Sequence, residues 1–134
     1  MPCKIISFSA LLLFIGFFSS CDIINPEEPT PAYIKVDTAM VKEIPGEVTG
    51  YHNFQDMWVY VDGKLVGTYQ IPFTVPVLPS GEQKVTLEAG IKENGQNMFR
   101  TKYPFVTSYI KDTLLPPADT LNLTPEFEYI EANV

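Results

Sequence analysis

The residues that could perform catalysis are few, and they do not form a recognisable catalytic set. The chain has a single histidine, His52, which any serine or cysteine nucleophile would need as its base. No Gly-x-Ser-x-Gly elbow presents such a nucleophile. One histidine without a free thiol also cannot fill a tetrahedral zinc site. We therefore expect His52 to be a polar loop residue, and the chain to hold no metal and no cofactor.

Paired carboxylates are the second candidate chemistry, because glycoside hydrolysis needs two facing acids. Asp56 and Asp62 flank one apolar run, and Glu126 and Glu128 share one face of another. We interpret both pairs as solvated acids of turns and surfaces, so the chain is not expected to be an enzyme. The Asp-x-Asp/Asn-x-Asp/Asn-Gly calcium loop is absent, which leaves an irregular calcium site built from loop acids as the alternative.

Aromatic side chains offer a non-catalytic chemistry, the stacking of sugar rings on an exposed platform. The candidates are spread over the chain: Trp58, Tyr60, Tyr69, Tyr103 and Tyr109. The alternative is that they fill the core and the second face of a sheet, where aromatic and β-branched pairs stabilise neighbouring strands. Trp58 and Tyr60, which lie on one face of the same strand, are the pair that we expect to form a glycan platform if one exists.

The first 20 residues have the pattern of a secretory signal. Lys4 is their only charged residue, and residues 5–18 are almost wholly apolar. That run is shorter than the roughly 20 residues of a membrane-spanning helix. Ser19-Ser20-Cys21 follows and resembles the lipobox of bacterial lipoproteins, with Phe18 where leucine is usual. The resemblance implies cleavage before Cys21 and a lipid on that cysteine; an ordinary secretory signal and an uncleaved anchor are the alternatives.

Charge and composition limit the partners of the remaining chain. Nine Lys and Arg face 16 Asp and Glu, and removal of Lys4 with the signal leaves eight basic residues and a formal charge of −8. Such a domain repels phosphate backbones, so we expect no nucleic acid partner, and anionic lipids would not attract it. Attachment to a membrane would therefore depend on the lipid. Residues 21–31, rich in Pro and Glu, are predicted to be an extended tether.

Residues 32–134 have the pattern of an all-β domain. Short runs alternate between apolar and polar residues, and Asp62-Gly63 and Asn94-Gly95 are hairpin signals. Prolines in residues 71–79 favour an edge or a crossover there. The pattern predicts an antiparallel β-sandwich of Ig-like or fibronectin-like topology, with about seven strands. The predicted strands cover residues 32–38, 56–61, 65–69, 83–91, 98–109, 119–124 and 126–130.

Part of this domain follows an ordered pattern of a strand, an Asp-Gly turn, a Gly-Thr pair, a proline, and a glycine turn before an alternating strand. It is formed by Val59-Tyr60-Val61-Asp62-Gly63-Lys64, Gly67-Thr68, Pro72-Phe73, Leu78-Pro79-Ser80-Gly81 and Lys84-Val85. This pattern resembles that of the PEGA domain. The wider run also resembles a group of Bacteroidota lipoproteins, in Ala32-Tyr33-Ile34, Gly90-Ile91-Lys92-Glu93-Asn94-Gly95 and Tyr103-Pro104-Phe105. The resemblance implies a small envelope β-sandwich without catalytic residues.

Three tripeptides resemble the O-glycosylation acceptor of Bacteroidota envelope proteins, which is Asp, then Ser or Thr, then a small or aliphatic residue. They place candidate acceptors at Thr38, Thr113 and Thr120. The alternative is that Asp and Thr are common at the polar ends of strands.

Together these features predict a lipid-anchored lipoprotein of the cell envelope, at the outer membrane. We expect it to act as a non-catalytic structural or protein-interaction module that contacts the membrane through lipidated Cys21 and docks on an envelope protein. The alternative is a glycan-binding accessory lipoprotein that holds a polysaccharide on Trp58 and Tyr60.

Overall fold

The computed structural model of the chain describes residues 28–43, 54–78, 81–96 and 99–130. The predicted signal segment, Cys21, the tether as far as residue 27, and His52 lie outside the described residues. Within the described ranges, the chain forms strands and one short 3-10 turn but no α-helix.

The described residues form ten strands. They are β1 Ala32–Val36, β2 Met40–Val41, β3 Asp56–Val61, β4 Lys64–Gln70, β5 Phe73–Val77, β6 Glu82–Lys92, β7 Arg100–Lys102, β8 Tyr109–Leu114, β9 Thr120–Leu123 and β10 Glu126–Phe127.

The larger sheet is antiparallel and has β3 and β6 at its centre. β4 pairs with one side of β3, and β7 and β8 pair with different halves of the far side of β6. Met57 and Val59 of β3 are fully buried, while Trp58 and Tyr60, on the opposite face, are half-buried. Because both faces of β3 are apolar, the sequence predicts a central strand, and the structure confirms it.

The predicted hairpins are confirmed by their backbone angles. Asp62 and Gly63 have φ angles of 50° and 75° between β3 and β4. A type I′ turn requires positive φ at both central residues, which Gly and Asp tolerate. Asn94 and Gly95, at 53° and 72°, turn the chain between the antiparallel strands β6 and β7.

The smaller sheets hold the first and last strands of the described chain. β1 pairs with β5 on one side and, in parallel, with β9 on the other, and β2 pairs in parallel with β10. The proline-containing β5 is an edge strand, as predicted, because proline cannot donate a ladder hydrogen bond.

One hydrophobic core joins the sheets. Its buried side chains come from the larger sheet and from both smaller ones, with Phe127, Ile34, Met57 and Leu87 among the most completely buried. Layers of sheet that share a core in this way are consistent with a β-sandwich. All of these core residues lie between Ala32 and Phe127.

Two features differ from the predicted strand pattern. Ten strands are present rather than about seven, partly because bends divide β1 from β2 and β9 from β10. β8 was not predicted, because its alternation is inverted: Ile110 and Leu114 point outward and are exposed, while Lys111 and Thr113 are half-buried. The apolar residues of β8 therefore do not mark its inner face.

Candidate functional site

The face of the larger sheet that points away from the core carries the predicted aromatic pair. On this outer face, Asp56, Trp58 and Tyr60 alternate with the buried residues of β3. Trp58 lies between Thr68 of β4 and Glu88 of β6, and Tyr60 lies between Leu65 and Thr86. The register of these strands thus places the aromatic pair, Trp58 and Tyr60, in the middle of the face.

A lysine covers both rings of the aromatic pair. The Nζ atom of Lys102, on β7, lies 5.7 Å from the ring centroid of Trp58 and 4.9 Å from that of Tyr60. It also lies 2.6 Å from Oε2 of Glu88. The hydrogen bond to Glu88, followed by the one to Tyr60, raises the pKa of Lys102 above its ordinary value, against a smaller opposing effect of burial. The cation is therefore held where the electron-rich ring faces attract it.

This arrangement can bind a ring-shaped polar ligand only if Lys102 moves. Its side chain is about half exposed, at 48%, so solvent can take up the displaced ammonium group. A sugar ring stacked on Tyr60 would then find an acceptor in Glu88 and donors in Lys102. The pair is thus neither a core pair nor an open platform.

Gly90 lets the indole of Trp58 lie close to β6. A Cβ atom at this position would come within 3.2 Å of Cδ1 and Nε1 of Trp58 and of the backbone oxygen of Asp56. The Nε1 atom of Trp58 is buried there and has no hydrogen-bond acceptor among the described residues. A side chain at position 90 would therefore displace the indole or part of the backbone.

Asp56 was wrongly interpreted as a solvated acid, because it is completely buried. The Nε atom of Arg100 approaches Oδ1 of Asp56 to 3.6 Å, and Nη1 of Arg100 donates a hydrogen bond to the backbone oxygen of Thr68 at 3.2 Å. Neither carboxylate oxygen has a hydrogen bond among the described residues. Arg100 thus extends from β7 to Asp56 of β3 and to Thr68 of β4.

The other acids that the sequence analysis grouped in pairs, Asp62, Glu126 and Glu128, are exposed. Asp62 is exposed in the hairpin turn at the opposite end of β3 from Asp56. Glu126 and Glu128 are exposed, and Oε1 of Glu128 lies 2.7 Å from Nζ of Lys42. The described residues contain no group of three or more His, Cys, Asp or Glu side chains that could hold a metal ion.

The remaining aromatic candidates do not extend the pair. Tyr69 stacks on Phe73, with ring centroids 5.3 Å apart, and packs against the core. Tyr103 packs on Phe54 at 5.2 Å, and burial is the main cause that raises its pKa. Tyr109 also packs against the core. Three of the five predicted platform residues are thus core neighbours.

The candidate glycosylation sites differ in access. Thr38 and Thr120 are exposed, and the backbone N–H of Thr120 donates to the carboxylate of Asp119 at 2.7 Å. Thr113 is half-buried in β8, opposite Gln83 of β6. Two of the three candidate residues, Thr38 and Thr120, are therefore exposed.

Exposed apolar side chains form a second surface that was not predicted. Val106 bridges Tyr129 in antiparallel fashion, and the N–H of Ile130 donates to the backbone oxygen of Phe105 at 2.9 Å. Phe105 and Ile130 are therefore cross-strand neighbours and are 61% and 55% exposed. We call these two residues the Phe105–Ile130 pair.

The Phe105–Ile130 pair lies away from the beginning of β1. β1 begins at Ala32, which pairs with Val77 of β5. From there β1 and β9 run in parallel, and β10 follows β9 before Ile130. Ile130 therefore lies beyond the end of β9 that is farther from Ala32.

Comparisons of the chain with protein-family models, with curated proteins and with solved structures found no match. Within the ranges that the structure describes, no helix is long and apolar enough to cross a membrane. Arg100, Lys102, Glu88 and Gly90 were not identified from the sequence, because only the register of β3, β6 and β7 brings them to the aromatic pair.

Proposed function

We propose that the chain is a lipoprotein of the bacterial cell envelope, anchored at the outer membrane by lipid on Cys21, and that its β-domain is a non-catalytic module that docks on an envelope protein. The lipobox-like Ser19-Ser20-Cys21 supports the anchor. An Ig-like topology is part of the proposal. The chain passes between sheets at β2 to β3, β4 to β5, β5 to β6 and β8 to β9, as Greek-key sandwiches do.

The observation that carries docking is the exposure of the Phe105–Ile130 pair. Large apolar side chains paired across two segments expose a surface that water solvates poorly. Exposed cross-strand neighbours of this kind are suited to fill a pocket on a partner, since aromatic residues are enriched at interface cores.

The surroundings of the pair suggest the chemistry of the partner. Glu126 is exposed on the adjacent β10, next to the ion pair of Glu128 with Lys42, and the domain as a whole is acidic. A partner surface with an apolar pocket and a basic rim would complement both features. We therefore propose a protein partner with that surface.

In-cell crosslinking, followed by pull-down and mass spectrometry, tests the proposal. The double variant Phe105→Ser/Ile130→Ser removes the exposed apolar pair. Leu114→Ser is the matched control, because Leu114 is equally exposed, at 62%, on the outer face of the larger sheet. We expect the double variant to lose one or two specific partners at least tenfold, and Leu114→Ser to retain them. Cys21→Ala should lose the partners through loss of the anchor.

Two outcomes would contradict this function. Equal recovery of the same partners with both surface variants would remove the Phe105–Ile130 pair from the interface. Absence of any reproducible protein partner would favour the second candidate below. Mass analysis of the purified protein tests the anchor separately, because an unlipidated Cys21 would refute that part alone.

Glycan binding is the second candidate, and the half-exposed aromatic pair under Lys102 favours it. Affinity electrophoresis through gels that contain envelope polysaccharides measures such binding directly. Tyr60→Ala should abolish any retardation. Ile110→Ala, on the same outer face and 58% exposed, should leave retardation unchanged. Equal retardation of the two variants would exclude the aromatic pair as the binding surface.

A further inference from the structure

β8 forms an edge of the larger sheet. It is six residues long and pairs along its whole length with β6, without a shift in register. Among the strands that the structure describes, none pairs with the other side of β8. An unpaired side of this kind presents backbone N–H and C=O groups to which another chain can add a strand. We call this side of the strand the β8 edge.

The hydrogen bonds of β6 determine which groups of β8 lie at this edge. The backbone oxygen of Lys84 accepts the N–H of Asp62 on the β3 side of β6. The backbone oxygen of Ala89 accepts the N–H of Tyr103 on the opposite side. Successive residues of an antiparallel strand direct their backbone groups to alternate sides. The odd-numbered residues of β6 therefore direct their backbone groups toward β8.

The register of β6 and β8 then assigns each backbone group of β8 to one side. The partners of the odd-numbered residues of β6 are Tyr109, Lys111 and Thr113. These three residues direct their N–H and C=O groups toward β6, because opposite residues in such a pair exchange both hydrogen bonds. The residues that alternate with them direct their backbone groups to the β8 edge. They are Ile110, Asp112 and Leu114.

Two other edges of the sheets carry features that oppose the addition of a strand. β5 contains Pro76, which has no N–H group to donate. The register of β4 with β3 shifts between Val59 and Tyr60, and such a bulge twists an edge away from a partner. β8 contains neither a proline nor a register shift. Its backbone is therefore better suited to pair with a further strand.

The charges of β8 indicate which strand fits. Two copies of β8 could pair antiparallel about a twofold axis with the faces of both sheets aligned. The two such registers with the longest overlap place either Asp112 or Lys111 opposite its own copy. Like charges directly opposite each other destabilise a pair of strands. A second copy of this chain is therefore a poor occupant, whereas a strand with the complementary charges would pair favourably.

We propose that the β8 edge accepts an extended segment of a partner protein as an additional antiparallel strand, and that a basic residue followed by an acidic one marks this segment. The basic residue lies opposite Asp112 and the acidic residue opposite Lys111. The ladder uses the backbone groups of Ile110 and Leu114, so their side chains are not required. This contact is separate from the Phe105–Ile130 pair and does not depend on the docking proposed there.

A pair of isomeric peptides tests the backbone ladder. The parent peptide is acetyl-Thr-Val-Lys-Glu-Thr-Val-amide, whose lysine pairs with Asp112 and whose glutamate pairs with Lys111. An N-methyl group on the lysine removes an N–H that points at the edge, whereas one on the glutamate removes an N–H that points to solvent. Binding to the full chain is measured from the amide NMR signals of β8. We expect the first change to weaken binding at least about threefold, the value of one net hydrogen bond, and the second to leave it unchanged.

Charge reversal tests the side chains. Asp112→Lys should weaken binding of the parent peptide about threefold to tenfold, because lysine then lies opposite lysine. A peptide with glutamate in place of its lysine should bind to this variant as the parent binds to the wild-type chain. Asp37→Lys is the matched control, since it changes the net charge equally at an exposed residue that follows β1, and it should leave binding unchanged.

Hydrogen exchange shows whether the β8 edge is free. In the chain alone, the amides of Ile110, Asp112 and Leu114 should exchange faster than the amides that pair with β6, and the parent peptide should slow them. The proposal is overturned if these amides are already slow in the dilute chain, because another segment of the chain would then cover the edge. Slow exchange that appears only at high protein concentration would also overturn it, because a second copy would be the occupant. So would equal weakening by the two N-methyl groups, or no binding of the parent peptide.

Discussion

Aromatic side chains lie both on the outer face of the larger sheet and in the Phe105–Ile130 pair. The two regions differ in how far other side chains cover these residues. On the outer face, Lys102 lies over Trp58 and Tyr60, and Arg100 covers Asp56. Phe105 and Ile130 remain more than half exposed. The aromatic pair of the outer face is covered by side chains of its own sheet, although Ile110 and Leu114 are exposed on the same face, whereas Phe105 and Ile130 are both exposed to solvent.

This difference indicates which aromatic side chains on a sheet face are available to a ligand. An aromatic residue on a sheet face is available to a ligand only where neighbouring strands do not supply a side chain that covers it. On the outer face, β7 supplies two such side chains, Arg100 and Lys102. A surface left uncovered by its own fold is the better candidate for a partner.

Among the variants of the outer face, Arg100→Ala should reduce the stability of the domain most. Arg100→Ala leaves the buried carboxylate of Asp56 without its cation, and we expect a loss of about 3 kcal/mol in the free energy of unfolding. Urea unfolding at neutral pH, followed by Trp58 fluorescence, measures it. Lys42→Ala is the control, because the ion pair of Lys42 with Glu128 is exposed and should contribute little.

A second variant distinguishes the loss of a cation from the loss of packing. Asp56→Leu/Arg100→Met removes both charges and keeps apolar volume, so it should be less destabilising than Arg100→Ala. If Arg100→Ala costs no more than Lys42→Ala, the pair of Arg100 and Asp56 does not stabilise the outer face.

Gly90→Ala should cause the next largest loss in the free energy of unfolding. The new Cβ atom would press on the indole of Trp58 and on the backbone oxygen of Asp56, each 3.2 Å away. The indole can tilt but the backbone cannot easily yield, so we expect a loss of about 1–2 kcal/mol and a red-shifted Trp58 emission. Lys84→Ala, an exposed change on the same strand, is the control. Unchanged emission in a stable Gly90→Ala protein would show that the indole does not lie over Gly90.

Removal of the ammonium group of Lys102 should lower the free energy of unfolding by a smaller amount. Lys102→Met shortens the side chain by one atom and loses the attraction of the ammonium group to both rings and to Glu88. We expect a loss of about 0.5–1 kcal/mol and stronger quenching of Trp58 by acrylamide. Lys84→Met is the matched change elsewhere on β6. Quenching equal to that of the wild-type protein would mean that Lys102 does not cover Trp58 in solution.

Alkaline pH should lower the stability of the domain gradually. The pKa of Lys102 is raised mainly by its hydrogen bond to Glu88, and the pKa of Tyr103 mainly by burial. A raised pKa means that the folded protein binds the proton more tightly than the unfolded chain does. The associated stability is therefore complete below the ordinary values, 10.5 for Lys and 10.0 for Tyr, and is lost as the pH rises through the folded pKa values.

Urea unfolding at several pH values between about 7 and 11 measures this loss. Lys102→Met should show a shallower decline above pH 10 than the wild-type protein, because one of the groups whose pKa is raised in the folded protein is absent. If the free energy of unfolding falls equally with pH in the two proteins, Lys102 does not contribute to the loss of stability at alkaline pH.

The sequence predicts the strands and turns better than it predicts the surfaces. Alternation and Asp-Gly or Asn-Gly turns locate β1, β3, β4 and β6, since those signals are local. β8 was not found because its exposed residues, Ile110 and Leu114, are the apolar ones. Local alternation identifies an inner face only where the outer face is polar.

The candidate site was predicted only in part, for a different physical reason. Trp58 and Tyr60 are two residues apart in one strand, so the sequence alone predicts that they share a face. Lys102 and Arg100 reach that face through the pairing of β6 with β7, far along the chain. The cation that approaches the buried carboxylate of Asp56, Arg100, also comes from β7, so the sequence around Asp56 does not distinguish it from an ordinary surface acid.

Ile130→Ser should have the smallest effect on folding and so gives the sharpest contrast between the two regions. Ile130 is 55% exposed and follows the last strand, so little apolar contact is lost, and we expect a change within about 0.5 kcal/mol in the free energy of unfolding. The same variant should nevertheless weaken recovery of the protein partner. Because Arg100→Ala should do the reverse while the chain remains folded, the two variants separate side chains that stabilise the domain from side chains that serve its contacts. A loss above 2 kcal/mol for Ile130→Ser would mean that the Phe105–Ile130 pair belongs to the core, and the docking surface would have to be sought elsewhere.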